Sequence, residues 1–156
     1  MNAHQPRRPA GIPAGGQFAT KSQPAPGYDL DEDVATIDGR PVEPDITLMG
    51  SGLRIERYSR DGRSHDPDDG RPAVVSYGLE GAVKSERHYR DGQLHDPADG
   101  RPAALWYRPD GTVEFEGHYR DGQAHDPADG RPAVLWYLPD GTVEMEGHYR
   151  DGSRIG

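Results

Sequence analysis

The sequence predicts an all-β chain of tandem thirty-residue β-hairpin repeats lying side by side as an extended, twisted antiparallel meander. Three observations predict it. Asp61-Gly62, Asp91-Gly92, Asp121-Gly122 and Asp151-Gly152 recur thirty residues apart, and the copies 91–120 and 121–150 differ at only four positions. Self-similarity at a fixed period marks units that bury their apolar faces mainly against one another. Within a copy, runs of β-branched and aromatic residues flank short turns rich in Pro, Asp and Gly. Finally, 32% hydrophobic residues with 21 Gly and 15 Pro in 156 residues leave material for only a thin core.

Taken in order, residues 1–27 are rich in Pro, Gly, Ala and Gln without helical or strand periodicity, and are expected to be a disordered basic tail. Residues 28–50 are expected to be an acidic linker with a degenerate first repeat, since Asp38-Gly39-Arg40-Pro41-Val42 matches the later Asp-Gly-Arg-Pro-Ala pieces. The array proper is 51–156. In its last copy, residues 133–138 and 142–150 are strand runs around Pro139-Asp140-Gly141. Pro presets φ for a type I turn and Gly supplies the left-handed residue of a G1 bulge.

That turn predicts Leu138 opposite Thr142, Tyr137 opposite Val143, Trp136 opposite Glu144, Leu135 opposite Met145, Val134 opposite Glu146 and Ala133 opposite Gly147. One face then collects Ala133, Leu135, Tyr137, Val143, Met145, Gly147 and Tyr149, with the matching residues of the previous copy. The opposite, wetter face carries Trp106, Trp136, Glu114, Glu116, Glu144, Glu146, His118 and His148. The turn at Asp121-Gly122 is expected to repeat the same chemistry and send a short third strand back to His125. A Pro-led corner at Asp126-Pro127-Ala128-Asp129-Gly130 then starts the next hairpin. The degenerate copy at 39–60 and the truncated end at 153–156 are expected to cap the two sheet edges.

The formal charge of −9 is unevenly spread: residues 1–27 hold Arg7, Arg8 and Lys21 without an acid, whereas the repeats hold twenty acids against fourteen Lys or Arg. An acidic array repels phosphate, which excludes nucleic acid or an anionic membrane as partner of the repeats. The absence of Cys excludes disulfides and thiolate zinc sites and fits a reducing compartment. With no apolar run of bilayer length, the expectation is a soluble, cytoplasmic protein.

The steps Tyr89-Arg90-Asp91-Gly92, Tyr119-Arg120-Asp121-Gly122, Tyr107-Arg108-Pro109-Asp110-Gly111 and Tyr137-Leu138-Pro139-Asp140-Gly141 resemble MORN-like repeats, including the bacterial MORN-variant proteins described as antitoxin-like. The step from His95 to Ala103 is similar to that of phage-borne and giant-virus repeat proteins. The likeness covers residues 51–152. It implies a β-hairpin scaffold and an antitoxin, immunity or phage accessory role.

Candidate chemistry is sparse. His65, His95 and His125 each precede Asp in carboxylate-rich loops, but the acids lack the alternating spacing and distal Glu of a calcium loop. Asp side chains capping turns are the expected role, so no metal or cofactor is assigned. His88, His118 and His148 follow Glu86, Glu116 and Glu146 by two positions. A row repeated along a sheet offers no unique pocket, so no catalytic residue is assigned and the chain is not expected to be an enzyme. Trp106 and Trp136 can be core or interface; set among Glu114, Glu116, Glu144, Glu146, His118 and His148, they are the candidate surface for a protein partner, one of basic character. The expected function is a non-catalytic protein-binding repeat module. Alternatives are a structural or virion-associated protein that self-associates through its edges, and a calcium-stabilised array.

Overall fold

The computed structural model describes residues 34–156. The tail expected at 1–27, and residues 28–33 of the acidic segment, lie outside the described residues. The chain is all-β. Eight strands form one antiparallel meander: β3 (Asp45–Leu48), β4 (Arg54–Arg57), β7 (Val74–Tyr77), β8 (Val83–Arg87), β11 (Ala104–Tyr107), β12 (Val113–Gly117), β15 (Val134–Tyr137) and β16 (Val143–Gly147), adjacent in that order. Small hairpins of two-residue strands accompany it: β1 (Thr36–Ile37) with β2 (Arg40–Pro41), β5 (Ser59–Arg60) with β6 (Arg63–Ser64), β9 (Tyr89–Arg90) with β10 (Gln93–Leu94), β13 (Tyr119–Arg120) with β14 (Gln123–Ala124), and β17 (Tyr149–Arg150) with β18 (Ser153–Arg154). The third strand expected to return to His125 therefore exists as β14, but in this side row rather than in the main sheet. Among the described residues no helix is long and apolar enough to cross a membrane.

Two kinds of turn alternate. At Pro139-Asp140-Gly141 the amide of Gly141 donates to Leu138 O at 2.9 Å and that of Leu138 to Thr142 O at 2.8 Å, with Gly141 at φ 84°. This is the expected type I turn with its left-handed glycine. Asp140 Oδ1 adds the cap, accepting from the amide and the hydroxyl of Thr142 at 2.9 and 2.6 Å. The Asp-Gly turns of the side row differ from expectation. Asp121 and Gly122 are both left-handed, φ 51° and 80°, between paired Arg120 and Gln123. That is a two-residue type I′ turn, which matches strand twist and suits Asp-Gly without any bulge. Asp38-Gly39 has the same conformation, φ 52° and 73°, so it is the counterpart of Asp61-Gly62 and not of the Asp69-Gly70 corner that its sequence matches.

The expected register holds at Leu138 with Thr142 and at the next pair and then slips. Tyr137 faces Val143, but a β-bulge between Trp136 and Tyr137 brings Trp136 opposite Met145, Leu135 opposite Glu146 and Val134 opposite Gly147. The same shift occurs in the two preceding hairpins. The unpaired residues are Lys84, Glu114 and Glu144. One extra residue reverses every facing beyond it. The face assignments made from turn geometry alone are therefore corrected. Leu105, Tyr107 and Val113 share a face with Glu116, and Trp106, Phe115, Trp136 and Met145 share the other.

On the first face Tyr77, Val83 and Tyr107 are buried together, with Val75, Leu105 and Val113 packed against them. A second small cluster joins Ala35, Ile37 and Tyr58 under hairpin β1–β2. Ala73, Ala103 and Ala133 are fully enclosed where successive copies meet. On the other face, close approach requires glycine: a Cβ on Gly117 would lie 2.7 Å from the Tyr119 ring and 2.9 Å from that of Phe115.

Candidate functional site

The repeats are joined by polar contacts that recur with the sequence period. Asp96 Oδ1 accepts the amides of Ala103 and Tyr119 at 2.9 Å each, and its Oδ2 lies 2.6 Å from His118 Nδ1. Asp66 does the same with Ala73, Tyr89 and His88, and Asp126 with Ala133, Tyr149 and His148. Each carboxylate thus closes the base of one hairpin, tying the loop before it to the segment after it. Burial alone would raise Asp126, but the Tyr149 amide, the His148 ring and the Ala133 amide outweigh it and hold the carboxyl below its usual range.

The histidines among the described residues fall into two classes with opposite tautomers. His88, His118 and His148 present Nδ1 to a carboxylate and so carry the proton there. His65, His95 and His125 instead accept the amides of Asp91, Asp121 and Asp151 on Nδ1 at 3.1–3.2 Å, which places the proton on Nε2. The loop carboxylates are likewise engaged: Asp99 and Asp129 accept the amide two residues on and grip Arg101 and Arg131. Among the described residues no group of three or more His, Asp or Glu is arranged to hold a metal ion.

Between neighbouring hairpins a second ladder runs across the sheet. The hydroxyls of Tyr77, Tyr107 and Tyr137 donate to Glu56, Glu86 and Glu116 at 3.0, 2.6 and 3.1 Å. Burial pushes Glu86 up despite the Tyr107 hydrogen bond, and burial, reinforced by Glu86, pushes Tyr107 up as well. Arg60 and Arg120 reach the next turn along the side row, pairing with Asp91 at 2.5 Å and Asp151 at 2.8 Å.

The eight residues expected to form one partner surface are divided among four places. Trp106 and Trp136 lie together, and Phe115 sits between them: its ring centroid is 4.7 Å from each, and the two indoles are 5.5 Å apart edge to face. Phe115 is buried while Trp106 remains 41% exposed, so the tryptophans roof a small aromatic core and also form surface. Glu116 and Glu146 are on the opposite face. Glu114 and Glu144 are the bulge residues. His118 is 0% exposed, and its Nε2 is enclosed without a hydrogen-bond partner; with His148 half-buried against Asp126, neither belongs to an open stripe beside the tryptophans.

The Asp–His closures and the Tyr–Glu ladder were not foreseen, because their partners are 21 to 23 residues apart in the chain. Their signal was the retention of polar residues at the same repeat position in successive copies. Compared with known proteins, the chain matches no family model and no curated protein.

Proposed function

We propose that this chain is a non-catalytic, protein-binding repeat scaffold acting in the cytoplasm, whose binding surface is the aromatic face built by Trp106, Phe115 and Trp136. The observation that carries it is that three-ring cluster on one sheet face, with Trp106 41% exposed. Clustered aromatic rings offer large apolar area at low conformational cost, the chemistry of interface anchors. Met145 and the bulge residue Glu144 extend the same end of the sheet, both exposed. With the overall charge of −9, this favours a basic partner. The likeness to MORN-variant repeats supports an antitoxin-like, immunity or phage accessory role in which the scaffold masks such a partner.

Affinity capture with the full chain and with Trp106→Ala tests the reading. The expected result is a basic protein retained by the wild type, released by added salt and lost with Trp106→Ala. Equal retention by both proteins, or capture of the chain alone, refutes it. A second reading, self-association, is favoured by one observation: Ile46 and Leu48 on one edge strand and Val143 and Met145 on the other are all exposed. Oligomeric state measured across a range of concentrations separates the two.

A further inference from the structure

We propose that edge strand β16 is an acceptor for one extended segment of a partner protein, which adds antiparallel as a ninth strand and delivers a tyrosine hydroxyl to Glu146. This rests on the protein-binding reading and adds the place and the mode. β16 ends the sheet, and its residues 143–146 are exposed. Its sequence, Val-Glu-Met-Glu-Gly, repeats that of β12, Val-Glu-Phe-Glu-Gly. The interior of the molecule shows what such an edge takes: β12 receives β15 with Phe115 opposite Trp136, Glu116 opposite Leu135 and Gly117 opposite Val134.

The side chains of β16 are poised as those of β12 are, but without their partners. Glu56, Glu86 and Glu116 each accept a tyrosine hydroxyl from the following strand, and Glu146 has no such donor among the described residues. Met145 is 50% exposed where Phe115 is 6%. The strand carries neither Lys nor Pro, two of the devices with which proteins blunt an edge, and its bulge at Glu144 lies ahead of the stretch Met145–Gly147. Past Gly147 the edge is closed, because the carbonyl of Gly156 accepts the His148 amide at 3.2 Å, as Ala133 O accepts that of His118. By translation of the interior pairing the acceptor is therefore the stretch Met145–Gly147, beyond the bulge.

The occupant's chemistry follows from translation of the interior pairing. An apolar or aromatic side chain lies beside Met145 and Trp136, a branched aliphatic one opposite Glu146, and a tyrosine one position after the aromatic. Strand addition of this kind takes affinity from main-chain hydrogen bonds and specificity from alternate side chains. A second copy adding through its own β3 does not supply these groups. Ile46 pairs with Glu56 as Val75 pairs with Glu86, so Leu48 stands where Tyr77 does and brings no hydroxyl.

The test titrates an acetylated peptide with the sequence of residues 131–138, Arg-Pro-Ala-Val-Leu-Trp-Tyr-Leu, into the full-length, isotope-labelled protein. Expected are amide shifts centred on 145–147, and about tenfold weaker binding when the peptide's tyrosine is replaced by phenylalanine. The Glu146→Ala protein is expected to bind both peptides equally, and Met145→Lys neither. Shifts confined to β3 or to the Trp106 face, equal binding of both peptides by the wild type, or no shift at millimolar peptide would each overturn the proposal. The two readings fail separately. Peptide binding that survives Trp106→Ala upholds the edge whatever becomes of the aromatic face. Loss of partner capture in Trp106→Ala without peptide binding upholds the face and removes the edge.

Discussion

Asp96→Ala is the most informative single change. The carboxylate accepts three hydrogen bonds, from the Ala103 and Tyr119 amides and from His118 Nδ1. Ala103 and His118 are fully buried, and the carboxylate itself is about one-fifth exposed. Truncation leaves three donors unpaired, each worth about 1–3 kcal/mol when no substitute is found. Because water reaches the vacated position, the lower part of that range applies, for a loss of about 3–5 kcal/mol. In a chain of this size each kcal/mol lowers Tm by about 2–4 °C, which gives a fall of about 6–20 °C.

Urea unfolding followed by far-UV circular dichroism measures the loss. Hydrogen exchange at the Ala103 and Tyr119 amides localises it, since opening of this hairpin base is expected to precede global unfolding. Asp96→Asn is the companion. Its amide oxygen retains the two backbone donors, but its NH₂ faces the imidazole, which must then shift its proton to an Nε2 that has no partner. An intermediate loss of about 1–3 kcal/mol is expected. If Asp96→Ala costs less than about 1 kcal/mol, or exchange at the two amides does not change, the carboxylate is not what closes the hairpin and the reasoning fails.

Gly117→Ala is expected to cost about 1–3 kcal/mol by overpacking, because its Cβ would meet the Tyr119 and Phe115 rings at 2.7 and 2.9 Å; thermal melts check it, and a neutral result would show that both rings yield. Glu86→Gln is expected to raise Tm at pH 7, since burial lifts the folded carboxyl above its unfolded value and so makes the charged form unfavourable in the fold; the gain should vanish below about pH 4, where both states are protonated. The opposite sign holds for Asp91, Asp126 and Asp151, held low in the fold: the stability they contribute is present above the unfolded aspartate pKa and lost as pH falls through the folded one, which a Tm series below about pH 4 should show. Arg108→Leu with Phe115→Met, which removes two of the differences between the last two copies, is expected to broaden the size-exclusion profile with swapped or slipped species; an unchanged, single-species profile would refute it.

The repeat period, the strand runs and both turn positions were legible because each has a local cause. Pro presets a dihedral, Gly admits a left-handed one, and β-branched residues fit a pleated surface. The facing of the strands was not legible, since a one-residue bulge reverses it and the sequence around Glu114 and Glu144 carries no breaker to announce the bulge. What places it is tertiary: with the slip, Phe115 falls between two indoles instead of opposite Leu105. The Asp-Gly turns show the same limit on a smaller scale. One dipeptide serves a type I′ hairpin at 121–122 and, at 129–130, the end of a turn closed by the Gly130 amide on Pro127 O, and only the pairing of the flanking residues distinguishes them. The candidate surface was legible in its tryptophans and not in its histidines, whose partners across the hairpin base are set by the fold.

Near-identical neighbours face a problem that neither ladder solves. A slip by one whole copy would preserve the Asp–His closures and the Tyr–Glu pairs, because both recur with the period. Register must then come from the four positions at which copies 91–120 and 121–150 differ. Those positions follow structural place. Arg108 donates through Nη1 to Val113 O at 2.9 Å in its own hairpin and through Nη2 to Tyr137 O of the next, whereas Leu138, its counterpart, lies exposed at the turn between β15 and β16. Phe115 is buried between the tryptophans, whereas Met145 is half exposed at the edge. Ala104 is more deeply enclosed than Val134. The copy 91–120 thus holds in Arg108 and Phe115 side chains that reach the copy beside it, whereas their counterparts Leu138 and Met145 have no such neighbour among the described residues. The substitutions that make the two copies unequal are the ones that give each hairpin a single place in the array.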